Sequence, residues 1–162
     1  MKTPKYRYWD ATCFIAWLKE EAGRIEACEG VVQAAQKGEL KIVTSAITLV
    51  EVIKPGSELV MTKNTHQAIV AFFEQPYIIV RDVDRNVAEQ ARLLIWTYPH
   101  LRSRDSVHAA TAILTDEVNV LDTFDSDLLK LNGQIGDPPL LIGEPHLPFQ
   151  PQLKEPDDLA EE

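Results

Sequence analysis

The chain has 162 residues, 45% hydrophobic and 25% charged, enough for one domain with a buried core. Its net charge of −9 argues against a protein whose whole surface binds nucleic acid, because such binding works by neutralising phosphates. No apolar run approaches the roughly 20 residues needed to span a bilayer, and residues 1–6 carry charge without a following apolar core. Neither a membrane helix nor a signal peptide is therefore expected. Cys13 and Cys28 lack metal-type spacing and read as small apolar residues, which suits a reducing cytoplasm.

Residues 6–9 (Tyr-Arg-Tyr-Trp) read as a short strand that ends at Asp10. Helical character follows over 13–21 and again over 25–36, with Gly38 as the stop of the second helix. Residues 40–43 make a second strand, and Thr44-Ser45 opens a third helix that carries Glu51 and closes at Pro55-Gly56. A helix over 65–74 precedes the apolar run 77–80, which suits a strand covered on both faces. Asp84 caps a helix over 85–96 with the stripe Val87, Ala91, Leu94 and Ile95.

Ser103 is expected to cap the next helix, which places Asp105 in its first turn, where the positive helix end favours a negative charge. Val107, Ala110, Ile113 and Leu114 form its apolar face, and His108 is expected to pack beside the alanines with a hydrogen bond. A strand over 118–121 leads to Asp122-Thr123-Phe124-Asp125-Ser126-Asp127, then a helical turn over 128–131 and a last short strand over 140–142. Of the two later acids, Asp127 is the better cap and Asp125 the better ligand. Strands alternating with helices predict an α/β domain with a parallel sheet covered on both sides. This domain is expected to occupy residues 1–144. Residues 145–162 read as a Pro-rich, acidic, disordered tail. Within it, Glu155, Asp157, Asp158, Glu161 and Glu162 stand against Lys154 alone.

In open parallel sheets, ligands gather beyond the carboxyl ends of the strands. Asp10, Glu51, Asp105 and the 122–127 segment all fall there, on four separate stretches of chain. Clustered carboxylates repel one another unless a cation neutralises them, and hard cations such as Mg²⁺ and Mn²⁺ take oxygen ligands. The cluster is thus a candidate metal site.

In these same places the chain resembles the PIN-domain family, most of all the stand-alone toxins of VapC type. The matching motifs are Tyr8-Trp9-Asp10-Ala11-Thr12, then the stretch from Thr44 to Glu51, then Arg104-Asp105-Ser106-Val107-His108-Ala109-Ala110-Thr111-Ala112, and last Leu121-Asp122-Thr123-Phe124-Asp125-Ser126-Asp127. The resemblance implies a three-layer α/β/α sandwich around a central, mainly parallel sheet of four to five strands. It implies a Mg²⁺- or Mn²⁺-dependent endoribonuclease that leaves 5′-phosphate and 3′-hydroxyl ends. Asp10, Glu51, Asp105 and Asp125 would be the catalytic, metal-binding acids, Asp127 an accessory metal carboxylate, and the Thr12 and Thr123 hydroxyls would orient ligands or water. It further implies a homodimer and an antitoxin partner whose tail covers the acidic pocket. Asp122 departs from the family pattern, which more often has an apolar or small residue there. Arg102 and Arg104 adjoin Asp105 and are candidates for holding the RNA backbone. Two other readings stay open: a catalytically silent PIN-like module that binds RNA or protein, and a hydrolase of small phosphorylated molecules.

Overall fold

A computed structural model of the chain describes residues 5–52 and 63–147. Five strands form one sheet: β1 (Lys5–Trp9), β2 (Leu40–Ser45), β3 (Ile78–Arg81), β4 (Val118–Asp122) and β5 (Leu141–Gly143). Their order is β3-β2-β1-β4-β5, and every neighbouring pair is parallel. The first strand of the chain is therefore the central one.

Among the described residues, seven helices connect them: α1 (Ala11–Leu18), α2 (Ile25–Gln36), α3 (Ala46–Glu51), α4 (Lys63–Phe73), α5 (Arg85–Thr97), α6 (Ser103–Ile113) and α7 (Ser126–Leu129). Because successive strand residues point to opposite faces, β1 sends Tyr8 to one side and Trp9 to the other. Tyr8, Val43 and Leu121 pack with α5, α6 and α7; Trp9, Leu40 and Ile42 pack with α1 and α2, and Phe72 and Phe73 of α4 close over that side. Trp9 and Phe14 meet edge to face at 5.2 Å between centroids. Two apolar layers on one sheet make the expected three-layer α/β/α sandwich.

Several local expectations shift. Helix α1 begins at Ala11, two residues early, because the Asp10 side chain accepts from the Cys13 N–H and caps it. Strand β3 touches both layers, yet it lies at the sheet edge and only Ile78 is buried, so the run 77–80 is half covered. Ser103 is not a cap. The break into helical geometry falls at Arg102, so Ser103 is already the first helical residue, and its carbonyl accepts from the Ser106 hydroxyl at 2.7 Å. The Pro55-Gly56 stop and the tail from residue 148 lie outside the described residues. Residues 145–147 lie on the domain: Arg7 Nη2 donates to the His146 carbonyl at 3.0 Å, and Leu147 sits against Gly30.

Asp122, the residue that departs from the family pattern, has a structural explanation. Its carboxylate is 1% exposed and accepts from Arg7 Nε (2.9 Å), Arg7 Nη2 (2.7 Å) and Trp9 Nε1 (2.9 Å). Burial pushes this carboxyl up, and the fork of Arg7 pulls it back. Breaking such a pair from one side leaves a charge with little water to replace its partner. Asp122→Asn is expected to lower the unfolding free energy by about 3 kcal/mol, read by urea denaturation at pH 7. Adding Arg7→Met to it should recover part of the loss. A loss below about 1 kcal/mol would reduce the pair to the worth of a surface ion pair.

Candidate metal centre

The site lies at the carboxyl edge of the sheet, where β1 is flanked by β2 and β4. From β1 the chain winds outward through β2 and β3, and it returns to the other side as β4. This is the switch point of the sheet, the place where ligands bind in open α/β folds. Asp10 follows β1 directly, and Thr123 to Asp127 follow β4. Glu51 closes α3 after β2, and Asp105 is in the first turn of α6.

Asp105, Asp125 and Asp127 are the residues brought together. One carboxylate oxygen from each lies within 4.8 Å of the others, and all three residues are half-buried. Asp125, not Asp127, caps the short helix α7: its Oδ2 accepts from the Leu128 N–H at 3.0 Å. The roles expected of these two are thus exchanged with respect to capping, because the backbone turns helical at Ser126 and only the residue before it can reach back. Asp127, inside the first turn, pairs with Lys130 Nζ at 3.4 Å. Burial, then the nearby charge of Asp125 and further off Asp10, raises the Asp105 carboxyl to about 6, against the pull of His108 and Arg102.

Asp10 stands behind this group, 2% exposed and held on both oxygens. Oδ1 accepts the Thr12 hydroxyl and Oδ2 the Thr123 hydroxyl, each at 2.6 Å. The same two threonine oxygens accept from the backbone: Phe124 N–H bonds Thr12 at 3.0 Å and Asp125 N–H bonds Thr123 at 2.9 Å. The hydroxyls thus tie Asp10 to the loop after β4. Burial pushes the Asp10 carboxyl up, while His108 and these hydroxyls hold it down.

Glu51, the fifth acid, is the last residue of α3. Its Oε1 lies 2.6 Å from His108 Nε2, and its Oε2 lies 3.9 Å from Arg104 Nη1. Neither Asp10 nor Glu51 belongs to the compact three-acid group. Sequence reasoning gave His108 a hydrogen bond without its partners; those are Glu51 on one ring nitrogen and the Tyr8 hydroxyl, 2.7 Å away, on the other. It also missed Arg7, which reads only as a strand residue although its fork holds Asp122.

The sequence matches the family model of the PIN domain over residues 7–134. No curated protein matches it by sequence. Several solved structures are similar in fold. One is VapBC2 from Rickettsia felis bound to a promoter DNA fragment, with a TM-score of 0.61 and 15% identity over 86% of this chain and 97% of that one. Another is VapC20 from Mycobacterium tuberculosis, described as a Sarcin-Ricin loop cleaving toxin, with a TM-score of 0.56 and 15% identity over 76% and 93%. A toxin–antitoxin complex from Klebsiella pneumoniae has a TM-score of 0.54 and 21% identity over 76% and 89%. The family match runs from β1 past α7 and takes in all five acids described above; this chain belongs to the PIN domain family.

Proposed function

We propose that this chain is a metal-dependent endoribonuclease and the toxin of a toxin–antitoxin pair, active in the cytoplasm. The observation that carries the reading is the group Asp105, Asp125 and Asp127, three carboxylates converging at the carboxyl edge of the sheet, where Asp10 follows β1 and Glu51 ends α3. The donor set is all oxygen, as Mg²⁺ and Mn²⁺ prefer. Burial first, and then the charges of Asp125 and Asp10, raise the Asp105 carboxyl, while Lys130 and Arg104 pair with neighbouring acids only at the rim. The residues present therefore fit a divalent cation. Bound there by Asp105, Asp125 and Asp127 with Asp10 and Glu51 adjoining, such an ion would lower the pKa of a bound water and offset charge on the scissile phosphate.

The rest falls to the chain itself. Asp10 holds the loop after β4 in place through Thr12 and Thr123, and so fixes where Asp125 and Asp127 stand. Arg102 and Arg104, exposed beside Asp105, supply positive charge where a polyanion must approach an otherwise acidic edge. The toxin half of the reading is supported by the fold likeness to VapBC2, VapC20 and the Klebsiella complex, and it carries with it an antitoxin and a homodimer. In the same reading residues 1–144 are the nuclease domain, and the acidic tail is an appendage to it.

Two measurements test this reading. Asp105→Asn keeps the side chain's shape and removes its charge. Mn²⁺ titration by calorimetry is expected to show a site in the wild type weakened at least tenfold in the variant, about 1.4 kcal/mol. Structured RNAs should be cut by the wild type and spared by the variant. Equal binding by both proteins, with RNA left intact, would favour the silent binding module. Cleavage of nucleotide phosphoesters but not RNA would favour the small-molecule hydrolase. Separately, Thr123→Val removes a hydroxyl that donates to a buried carboxylate and accepts from the Asp125 N–H. It is expected to cost about 2 kcal/mol in urea unfolding at pH 7, since hydrogen bonds to charged groups contribute roughly 1.5–3 kcal/mol.

A further inference from the structure

We infer that His108, oriented by Tyr8, is a positioning residue for Glu51 and fixes which of its carboxylate oxygens faces the acid site. The inference rests on the nuclease reading for its meaning but stands on its own geometry. Glu51 is the last residue of the six-residue helix α3. Val50 before it is 69% exposed and Val52 after it is 4% exposed, so Val52 anchors the backbone while the Glu51 side chain needs a contact of its own. A glutamate there has three side-chain torsions to hold, and ordering a long side chain costs entropy unless a firm contact offsets it. His108 supplies that contact from the buried face of α6.

The ring is 1% exposed, three residues and about one helical turn after Asp105. A carboxylate offers only lone pairs, so the hydrogen in the 2.6 Å contact with Glu51 belongs to Nε2. Nδ1 then lies 2.7 Å from the Tyr8 hydroxyl, which can give or take the hydrogen between them. The phenol and the imidazole also meet edge to face, with centroids 5.8 Å apart and planes at 67°. Tyr8 is fully buried in β1, two residues before Asp10. The three members of this chain of bonds sit on β1, α6 and α3, the elements that also place Asp10, Asp105 and Glu51. With Oε1 occupied by the ring, Oε2 is the oxygen left for the site, on the side of Arg104.

The test compares His108→Gln, whose amide N–H reaches the place of Nε2, with His108→Asn, which is too short to reach Glu51. RNA cleavage with Mn²⁺ is expected to lose roughly 10–100-fold in kcat in His108→Asn, the usual range for a residue that orients a metal-site group, with KM little changed. His108→Gln should recover most of it. In a Glu51→Gln background, His108→Asn should add no further loss, because the two act as one unit. Tyr8→Phe, which keeps the packing, should give a smaller fall of about fivefold and serves where the histidine variants fold poorly. Equal kcat in His108→Gln and His108→Asn, or a His108→Asn loss that persists without Glu51, overturns the inference. Ring ¹⁵N spectra give a readout free of catalysis. They should show Nε2 protonated, with the Nε2 signal moved by Glu51→Gln. The opposite tautomer, or no response to Glu51→Gln, overturns it. A wild type that cuts no RNA would sink the nuclease reading alone, and the ¹⁵N spectra would still decide the assignment.

Discussion

A carboxylate shut away from water at the end of a central strand is unfavourable unless its oxygens find donors, and Asp10 finds them in Thr12 and Thr123. Much of the acid site depends on that arrangement. Each threonine uses its hydrogen on Asp10 and its oxygen on a backbone N–H of the loop after β4. The loop so held presents Asp125 at the residue where α7 begins, and α7 in turn carries Asp127. The positions of two of the three convergent acids thus trace back to the solvation of a fourth that does not join them.

Charge in the molecule is sorted. Asp122 and Asp10 are neighbours across the β1–β4 pair, joined through the Asp10 N–H and the Asp122 carbonyl at 3.4 Å, yet they solve burial differently. Asp122 takes a full cation, the Arg7 fork, and becomes part of the frame. Asp10 takes neutral hydroxyls, which hold down a carboxyl that burial pushes up. The cations nearest the open acids, Lys130 on Asp127 and Arg104 beside Glu51, stay exposed at the rim and contribute little there. An arginine fork is thus given to the structural acid, while the candidate ligands meet only rim cations and the His108 ring. That is the distribution a cation site requires.

What the sequence made legible was whatever local physics decides. Asp84 capping α5 and the stripe Val87, Ala91, Leu94 could be read within one helix, and both are as expected. The alternation of strands and helices was enough for the parallel sandwich, and the order of the acids was enough to bring them to one edge. The misreadings share a cause. Ser103 and Asp127 were both given cap roles that depend on where the backbone breaks into helical geometry, and that break moved by one residue for Ser103 and by two for Asp127. Asp122 stayed unexplained because its partner is 115 residues away, and the Glu51–His108 bond spans 57. A pair that distant leaves no periodicity to find. The edge position of β3 was hidden for the same reason: an apolar run shows that a strand is wanted, not how many neighbours it has.

That the first strand is the middle strand has a consequence for synthesis. As the chain leaves the ribosome, Asp10 emerges early, but one of its two hydroxyl donors lies 113 residues later. The neighbour of β1 on that side, β4, is made only after β2, β3 and helices α1 to α6. Pairings of such separation delay the closing of the sheet until late in synthesis. An N-terminal fragment ending anywhere before Asp125 holds no convergent acid group, since two of its three members are still unmade. Under the proposed ribonuclease reading, the order of its strands keeps the catalytic acids apart until β4 and the loop after it have been made.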